Sequence, residues 1–298
     1  MEINSYSSIV AVGNKACAPL VGAQVIVEEK IDGSQFSWAL GWDGEVYFRS
    51  KNGPVDRNTT DGNFSLAIKN ILSIKHNLIA GHVYRGEILR SVGHNRIKYG
   101  RVPTNNVIVF DIQDSTGRFL DRETKEEICN IAGLEVVPLL GEITFNDADV
   151  LKSFIKESVL GESIAEGVVI KPVNYDIMYD GKVLMGKYVR EDFKEAMLPK
   201  VRATDKLEES IVALIEGLKT ESRWYKAVQH LSDAGELIGD PKDIGKIVVE
   251  VQKDILKEET EEIKDFLFEL YRKRILVGAS NGVAQWYKDK LLQEQLDT

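Results

Sequence analysis

Val25-Ile26-Val27-Glu28-Glu29-Lys30-Ile31-Asp32-Gly33-Ser34 is the stretch on which the reading of this chain turns. The apolar run predicts a strand that delivers Lys30 at its end, with a glycine turn behind it. A protonated lysine is no nucleophile. Desolvation and neighbouring cations lower its pKa and release the amine, which can then attack phosphorus. Gly33 lets the backbone approach a bound nucleotide without a Cβ in the way. Taken alone, Lys-x-Asp-Gly reads equally well as a surface hairpin with an ordinary lysine.

Four segments downstream give the lysine a context: Tyr84 to Leu89, Val107 to Ile112, Glu166 to Pro172 and Leu184 to Phe193. Glu87 stands on a strand after Arg85-Gly86, where its carboxylate can accept a ribose hydroxyl or simply face solvent. Phe110 ends an apolar run and can stack on a base or pack in a core. Glu166 opens an apolar strand. A carboxylate there is costly unless paired or bound to a cation, which suits a hard metal such as magnesium. Lys171 and Lys187 come from neighbouring strands and can meet phosphate oxygens as point charges, or snorkel at the surface. Lys51 or Arg49 can clamp a phosphate from the turn Ser50-Lys51-Asn52-Gly53, which also reads as a plain hairpin turn.

The 298 residues carry a net charge of -9. That balance argues against a protein that coats nucleic acid, though not against an enzyme with a local basic groove. Cys17 and Cys129 form no zinc or disulfide spacing, and a reduced, cytoplasmic setting is expected. The start lacks a signal-peptide pattern, and no apolar stretch is long enough to cross a bilayer.

Short strands alternate with turns through the first two thirds. Strands are expected over 24–30, 35–40, 45–50, 82–90, 107–112 and 166–171, with a hairpin over 182–189. Helices are expected over 63–80, 124–132 and 147–159. From Asp205 onward only helical patterns remain, punctuated by Gly235, Gly239-Asp240-Pro241 and Gly278. The expected organisation is a mixed α/β body over 1–200 and an all-helical domain over 201–298.

Lys30-Ile31-Asp32-Gly33, Ser50 to Gly53, Gly86-Glu87, Phe110-Asp111, Glu166 to Lys171 and Lys187 occur in that order. Together they resemble the motifs of the covalent nucleotidyltransferase superfamily of polynucleotide ligases and capping enzymes, over roughly residues 25 to 195. The helical end and the Phe-Asp-Ile segment resemble the RNA ligase 2-like branch, known from phages and RNA editing. The resemblance implies an α+β fold: an ATP-grasp-like nucleotidyltransferase domain of antiparallel sheets with flanking helices, plus a small all-α C-terminal domain. It implies ATP as cofactor, with AMP carried covalently on Lys30, and Mg2+ or Mn2+. Glu29 would contact adenine through its backbone, with Gly33 beside the nucleotide, and Phe110 would stack on the base. Glu87 would hold the ribose, Asp32 and Glu166 the metal, and Lys51, Lys171 and Lys187 the phosphates.

The implied partners are RNA ends, in a nicked duplex or a broken loop, handled by a monomer in the cytoplasm (of a host, if phage-encoded). No membrane and no protein partner are expected. Three positions depart from the branch. Met185 stands where the last motif usually has its first basic residue, Asp32 where the prototype has histidine, and Gln35 where the prototype has asparagine. A DNA ligase, a capping-type enzyme and a non-catalytic relative are the competing readings.

Overall fold

The computed structural model describes residues 1–7, 9–59, 62–194 and 207–296. The chain divides into two compact units, Met1–Phe193 with Val228–Asp243, and Lys194–Ala227 with Ile244–Thr298. The expected boundary near residue 200 lies outside the described residues.

The first unit is built on two sheets. Its strands are β1 (Val10–Ala11), β2 (Gln24–Lys30), β3 (Ser34–Leu40), β4 (Val46–Ser50), β5 (Pro54–Val55), β6 (Val83–Ile88), β7 (Val107–Gln113), β8 (Glu135–Val136), β9 (Leu139–Thr144), β10 (Gly167–Pro172), β11 (Met178–Tyr179), β12 (Lys182–Val183) and β13 (Gly186–Val189). One sheet runs β1-β13-β10-β2-β9 and the other β5-β4-β3-β6-β7-β8, while β11 and β12 form a separate hairpin. Pairing is antiparallel except for β1 with β13 and β7 with β8.

Strand alternation explains how β2 serves a core and a site together. Val25 and Val27 enter one apolar cluster with Val168, Ile170 and Leu184. Ile26, Glu28 and Lys30 therefore project from the opposite face. In the second sheet, Phe36, Trp38, Tyr84, Val109 and Ile112 pack with Ile68 and Ile71 of α1 (Ser65–Ser73) and Cys129 of α2 (Arg122–Ala132). Asp121 caps α2 by accepting from Thr124 N at 2.9 Å, and Gly133 ends it with a left-handed φ of 69°. Both devices satisfy backbone groups that a helix end leaves open.

Three expectations are corrected here. The helix expected over 63–80 stops at Ser73 and continues only as a short 3-10 turn, Lys75–Asn77. The helix expected over 147–159 is a 3-10 segment, Ala148–Phe154. There the Asp147 side chain accepts from Asp149 N, two residues on, which favours a tight turn over an α-helical start. Leu139–Thr144, assigned no structure from sequence, is an edge strand on β2.

Gly167 pairs with Lys30 on one side and Val189 on the other. A Cβ there would collide with the Tyr188 carbonyl oxygen and lie 2.7 Å from Val189 Cα. Both are backbone atoms, so relief needs the strands to part. Gly167→Ala is expected to cost about 3 kcal/mol, because overpacking is not relieved by a rotamer change. Thermal denaturation should read this as a Tm lower by roughly 6–12 °C.

The second unit is helical. It holds α3 (Leu207–Leu218), the start of α4 (Glu221–Asp233), α5 (Ile244–Glu258), α6 (Thr260–Ala279) and α7 (Val283–Leu296). Buried Arg223 pairs with Asp254 and, at 2.6 Å, with Glu259, while Lys226 meets Asp254 at 2.7 Å. Arg272, Lys273, Arg274, Lys288 and Lys290 are exposed on α6 and α7.

Candidate active site

The Lys30 amine lies 2.6 Å from Glu166 Oε2, and a quarter of the Lys30 side-chain surface stays exposed. Glu166 precedes β10, whose first residue pairs with Lys30, so the sheet register itself brings the two charges together. Burial alone would lower the Lys30 pKa. The Glu166 carboxylate, with Glu87 and Asp32 behind it, outweighs burial and raises it. The amine is therefore held as an ammonium. Burial raises the Glu166 pKa, against the pull of Lys30.

Glu87 reaches the same cluster from the other sheet. Burial, assisted by Glu166 and Asp32 and opposed by Lys30, pushes its carboxyl up to about 8. Its Oε2 is buried and has no hydrogen-bond partner. An unsatisfied buried acceptor in a cleft calls for a donor from outside. Gly33 fits tightly beside it. A Cβ on Gly33 would lie 2.7 Å from Ile88 O and 3.2 Å from Glu87 Oε2.

Asp32 is engaged locally. Its Oδ2 accepts from Ile97 N at 2.8 Å, and its backbone N–H donates to the Tyr99 hydroxyl at 2.8 Å. Asn95 Nδ2 donates to Gly33 O at 2.9 Å and lies 3.3 Å from Asp32 Oδ1. Gln229 Nε2 also donates to Gly33 O, at 2.9 Å. The turn behind the lysine is thus held by Asn95, Tyr99 and Gln229. None of the three follows from the motif, because Asn95 and Tyr99 come from an irregular loop and Gln229 from a helix far along the chain.

Glu29 alternates to the face away from Lys30. Its carboxylate accepts from Ser158 Oγ at 2.5 Å and Val159 N at 3.0 Å. Only its backbone belongs to the strand that presents the lysine. Lys187 pairs in register with Val169, on the Lys30 side of the sheet, and its charge acts on Glu166. Lys51 Nζ is 3.2 Å from His230 Nε2, and its charge acts on Glu87.

Lys171 joins a different cluster. Its amine meets Glu28 Oε2 at 2.6 Å, Asp111 Oδ1 at 2.9 Å and Phe110 O at 2.9 Å. Lys125 of α2 meets Glu28 Oε1 at 2.8 Å and Phe110 O at 2.7 Å. The two ammonium groups overcome the burial of Glu28 and hold its carboxyl down at about 2. Phe110 is anchored through its carbonyl by both lysines, and its ring meets Tyr6 edge-on at 5.0 Å. The Tyr6 hydroxyl donates to Asp111 and lies 2.9 Å from Met185 Sδ. Met185 is fully buried.

Among the described residues, no three carboxylate, histidine or cysteine side chains form a metal cluster. No described helix is long and apolar enough to cross a membrane.

Two antiparallel-rich sheets, with a strand-end lysine facing carboxylates from both, define a nucleotidyltransferase fold. A sequence model of the RNA ligase family matches residues 23–189. The chain belongs to the RNA ligase family. Among solved structures it resembles a variant of the Naegleria gruberi RNA ligase with ATP and manganese, at 18% identity and a TM-score of 0.51, over 64% of this chain and 57% of that one. A second variant of the same ligase, with AMP and manganese, matches at 17% identity and a TM-score of 0.50, over 63% of this chain and 56% of that one. The chain thus spans just over half the length of these relatives. No curated protein matches its sequence.

Proposed function

We infer that the protein is an ATP-dependent RNA ligase that joins a 3′-hydroxyl to a 5′-phosphate through AMP carried on Lys30. The observation that carries this reading is the Lys30 amine at 2.6 Å from Glu166, beside the unpartnered Glu87 Oε2. Family membership supports it, as do the nucleotide-bound relatives. In this reading residues 1–200 are the adenylyltransferase part and 201–298 a helical domain.

Lys30 attacks the α-phosphorus of ATP in line. The N–P bond forms, pyrophosphate leaves, and the amine gives up its proton. The AMP then passes to the RNA 5′-phosphate, and the 3′-hydroxyl displaces AMP to form the phosphodiester. All three steps are displacements at phosphorus, so the protein mainly orients groups and stabilises charge. Phe110 stacks on the base, with the Glu29 backbone and Gly33 lining its slot. Glu87 accepts from the ribose, which satisfies its open oxygen. Lys187 and Lys51 face phosphates, and Lys171 acts from behind by fixing Phe110.

Glu166 and Asp32 are hard oxygen donors that fit Mg2+ or Mn2+. Since the Asp32 oxygens already accept from the loop at 95–97, the fit is to a cation held through water. When bound, such a cation supplies positive charge that neutralises the carboxylates and weakens their hold on the Lys30 proton. The buried free thiols Cys17 and Cys129 suit the reducing cytoplasm as the place of work.

Incubation with α-labelled ATP and a 5′-phosphorylated, nicked RNA duplex tests the reading. The expected products are labelled protein, labelled RNA-adenylate and sealed RNA. A covalent label from GTP alone would overturn it. The rate of labelling in a single turnover is also expected to depend on pH. Because the Lys30 pKa is raised, the reactive free amine is a minor form near neutrality and grows as pH rises. The rate should climb about tenfold per unit over roughly pH 6 to 8, and a flat profile would contradict this.

A further inference from the structure

The first unit carries a basic cavity that the proposed chemistry does not use. It has a volume of about 190 Å3 and is lined by Arg96, Lys98, Ser163, Arg190, Asp192 and Phe193, among others. Three cations face one carboxylate across this lining, so the cavity is positive in a chain of net charge -9. Two of them are held in place by the same ring. The Arg96 guanidinium carbon lies 4.6 Å, and that of Arg190 5.0 Å, from the Phe193 ring centroid. Asp192 steadies both. Its carbonyl accepts from Arg96, and its carboxylate meets Arg190 at 3.2 Å. The Arg190 Nε–H is buried and has no hydrogen-bond partner. A buried, charged donor left open is costly unless an acceptor arrives.

The cavity is wired to the reacting centre. Arg190 N donates to Glu166 O at 3.0 Å, and Ile97 N donates to Asp32 Oδ2 at 2.8 Å. Its two walls are therefore continuous with the segments that carry Glu166 and Asp32, two of the carboxylates acting on Lys30. A polynucleotide end seated at Lys30 carries further phosphates along its strand, and one of them would meet this cavity next. Guanidinium groups suit a phosphodiester because their planar donors match two oxygens at once.

We propose that Arg190, Arg96 and Lys98 form a subsite for a backbone phosphate of the RNA strand being joined. This deepens the RNA ligase reading and rests on it. The subsite positions polynucleotide and takes no part in the reaction of Lys30 with ATP. It also gives an acidic protein a local place to grip an acidic substrate, with the salt sensitivity such contacts bring.

The experiment compares the full chain with the Lys98→Gln and Lys98→Gln/Arg190→Gln variants. Covalent labelling by ATP is measured without RNA, and binding of a labelled nicked RNA duplex is titrated against salt. Labelling should be unchanged in both variants. Affinity for RNA should fall about tenfold for each cation removed, and the salt slope should fall by about one per cation. Lys98 is exposed, so the single variant tests the idea even if the double variant folds poorly. RNA binding that matches wild type in both affinity and salt slope would overturn the subsite. So would a raised ATP requirement with unchanged RNA binding, because the cavity would then serve the triphosphate. Failure of the wild type to become labelled would instead overturn the ligase reading, so the two failures are distinguishable.

Discussion

Lys30→Ala is expected to abolish covalent labelling by ATP, with the loss on the order of 10^4-fold or more, as for removal of any nucleophile. Lys30→Arg should fail equally, since a guanidinium stays charged at any accessible pH and offers no free amine. The alanine variant should remain folded. Its former partner Glu166 already has a raised pKa from burial, and loss of the Lys30 charge raises it further. The carboxyl then takes a proton and avoids becoming a stranded charge. Circular dichroism should report a near wild-type Tm beside the lost label. A label that persists in the variant would show that AMP is attached elsewhere.

Lys171→Met is expected to produce the largest loss of stability, about 3–5 kcal/mol. The charge removed sits between Glu28 and Asp111, each about 1% exposed. Removing one partner of a buried pair leaves the other uncompensated. Lys125 at 2.8 Å and Arg122 at 2.7 Å still hold Glu28, but Lys125 lies 3.8 Å from Asp111, so the gap at Asp111 is covered only in part. Denaturant titration should show a lower midpoint with an unchanged slope.

The same variant should shift acid sensitivity. The Glu28 carboxyl is held down at about 2 in the fold, against an ordinary 4.5. A depressed carboxylate pKa contributes stability that is present above the unfolded value and is lost as pH falls toward the folded one. In wild type that loss should run from about pH 4.5 down to about 2. Without Lys171 the folded pKa rises, and the protection contributed by Glu28 should narrow or vanish. An acid profile that superimposes on wild type would show that Glu28 does not depend on Lys171.

Much of this arrangement was legible in the residues. The strand carrying Lys30 and the helix 124–132 follow from apolar runs and turn glycines. Those signals are local and periodic, so one chain suffices to read them. The network around Phe110 was not legible. Lys125 lies in Lys125-Glu126-Glu127, which reads as a solvated helix face, yet it is fully buried because α2 packs where Glu28 needs a countercharge. Tyr6 is a lone aromatic in an irregular segment, and only the fold sets it against Phe110 and Met185. The Asn95 and Tyr99 contacts to the Lys30 turn come from a loop without periodicity.

The sequence by itself determined the chemistry on offer at position 30: an amine at a strand end, a glycine behind it, and carboxylates and cations following in a fixed order. That much is covalent, and it depends on residue type and spacing alone. Tertiary structure alone decided the protonation and the partners. Lys30 is held as an ammonium because two sheets bring Glu166 and Glu87 to it from positions far apart in the chain. Lys171 is turned from an expected phosphate contact into the anchor of Phe110 because Glu28 and Asp111 close around it from both sheets. Electrostatic free energy depends on distance and desolvation, and neither exists until the sheets have packed.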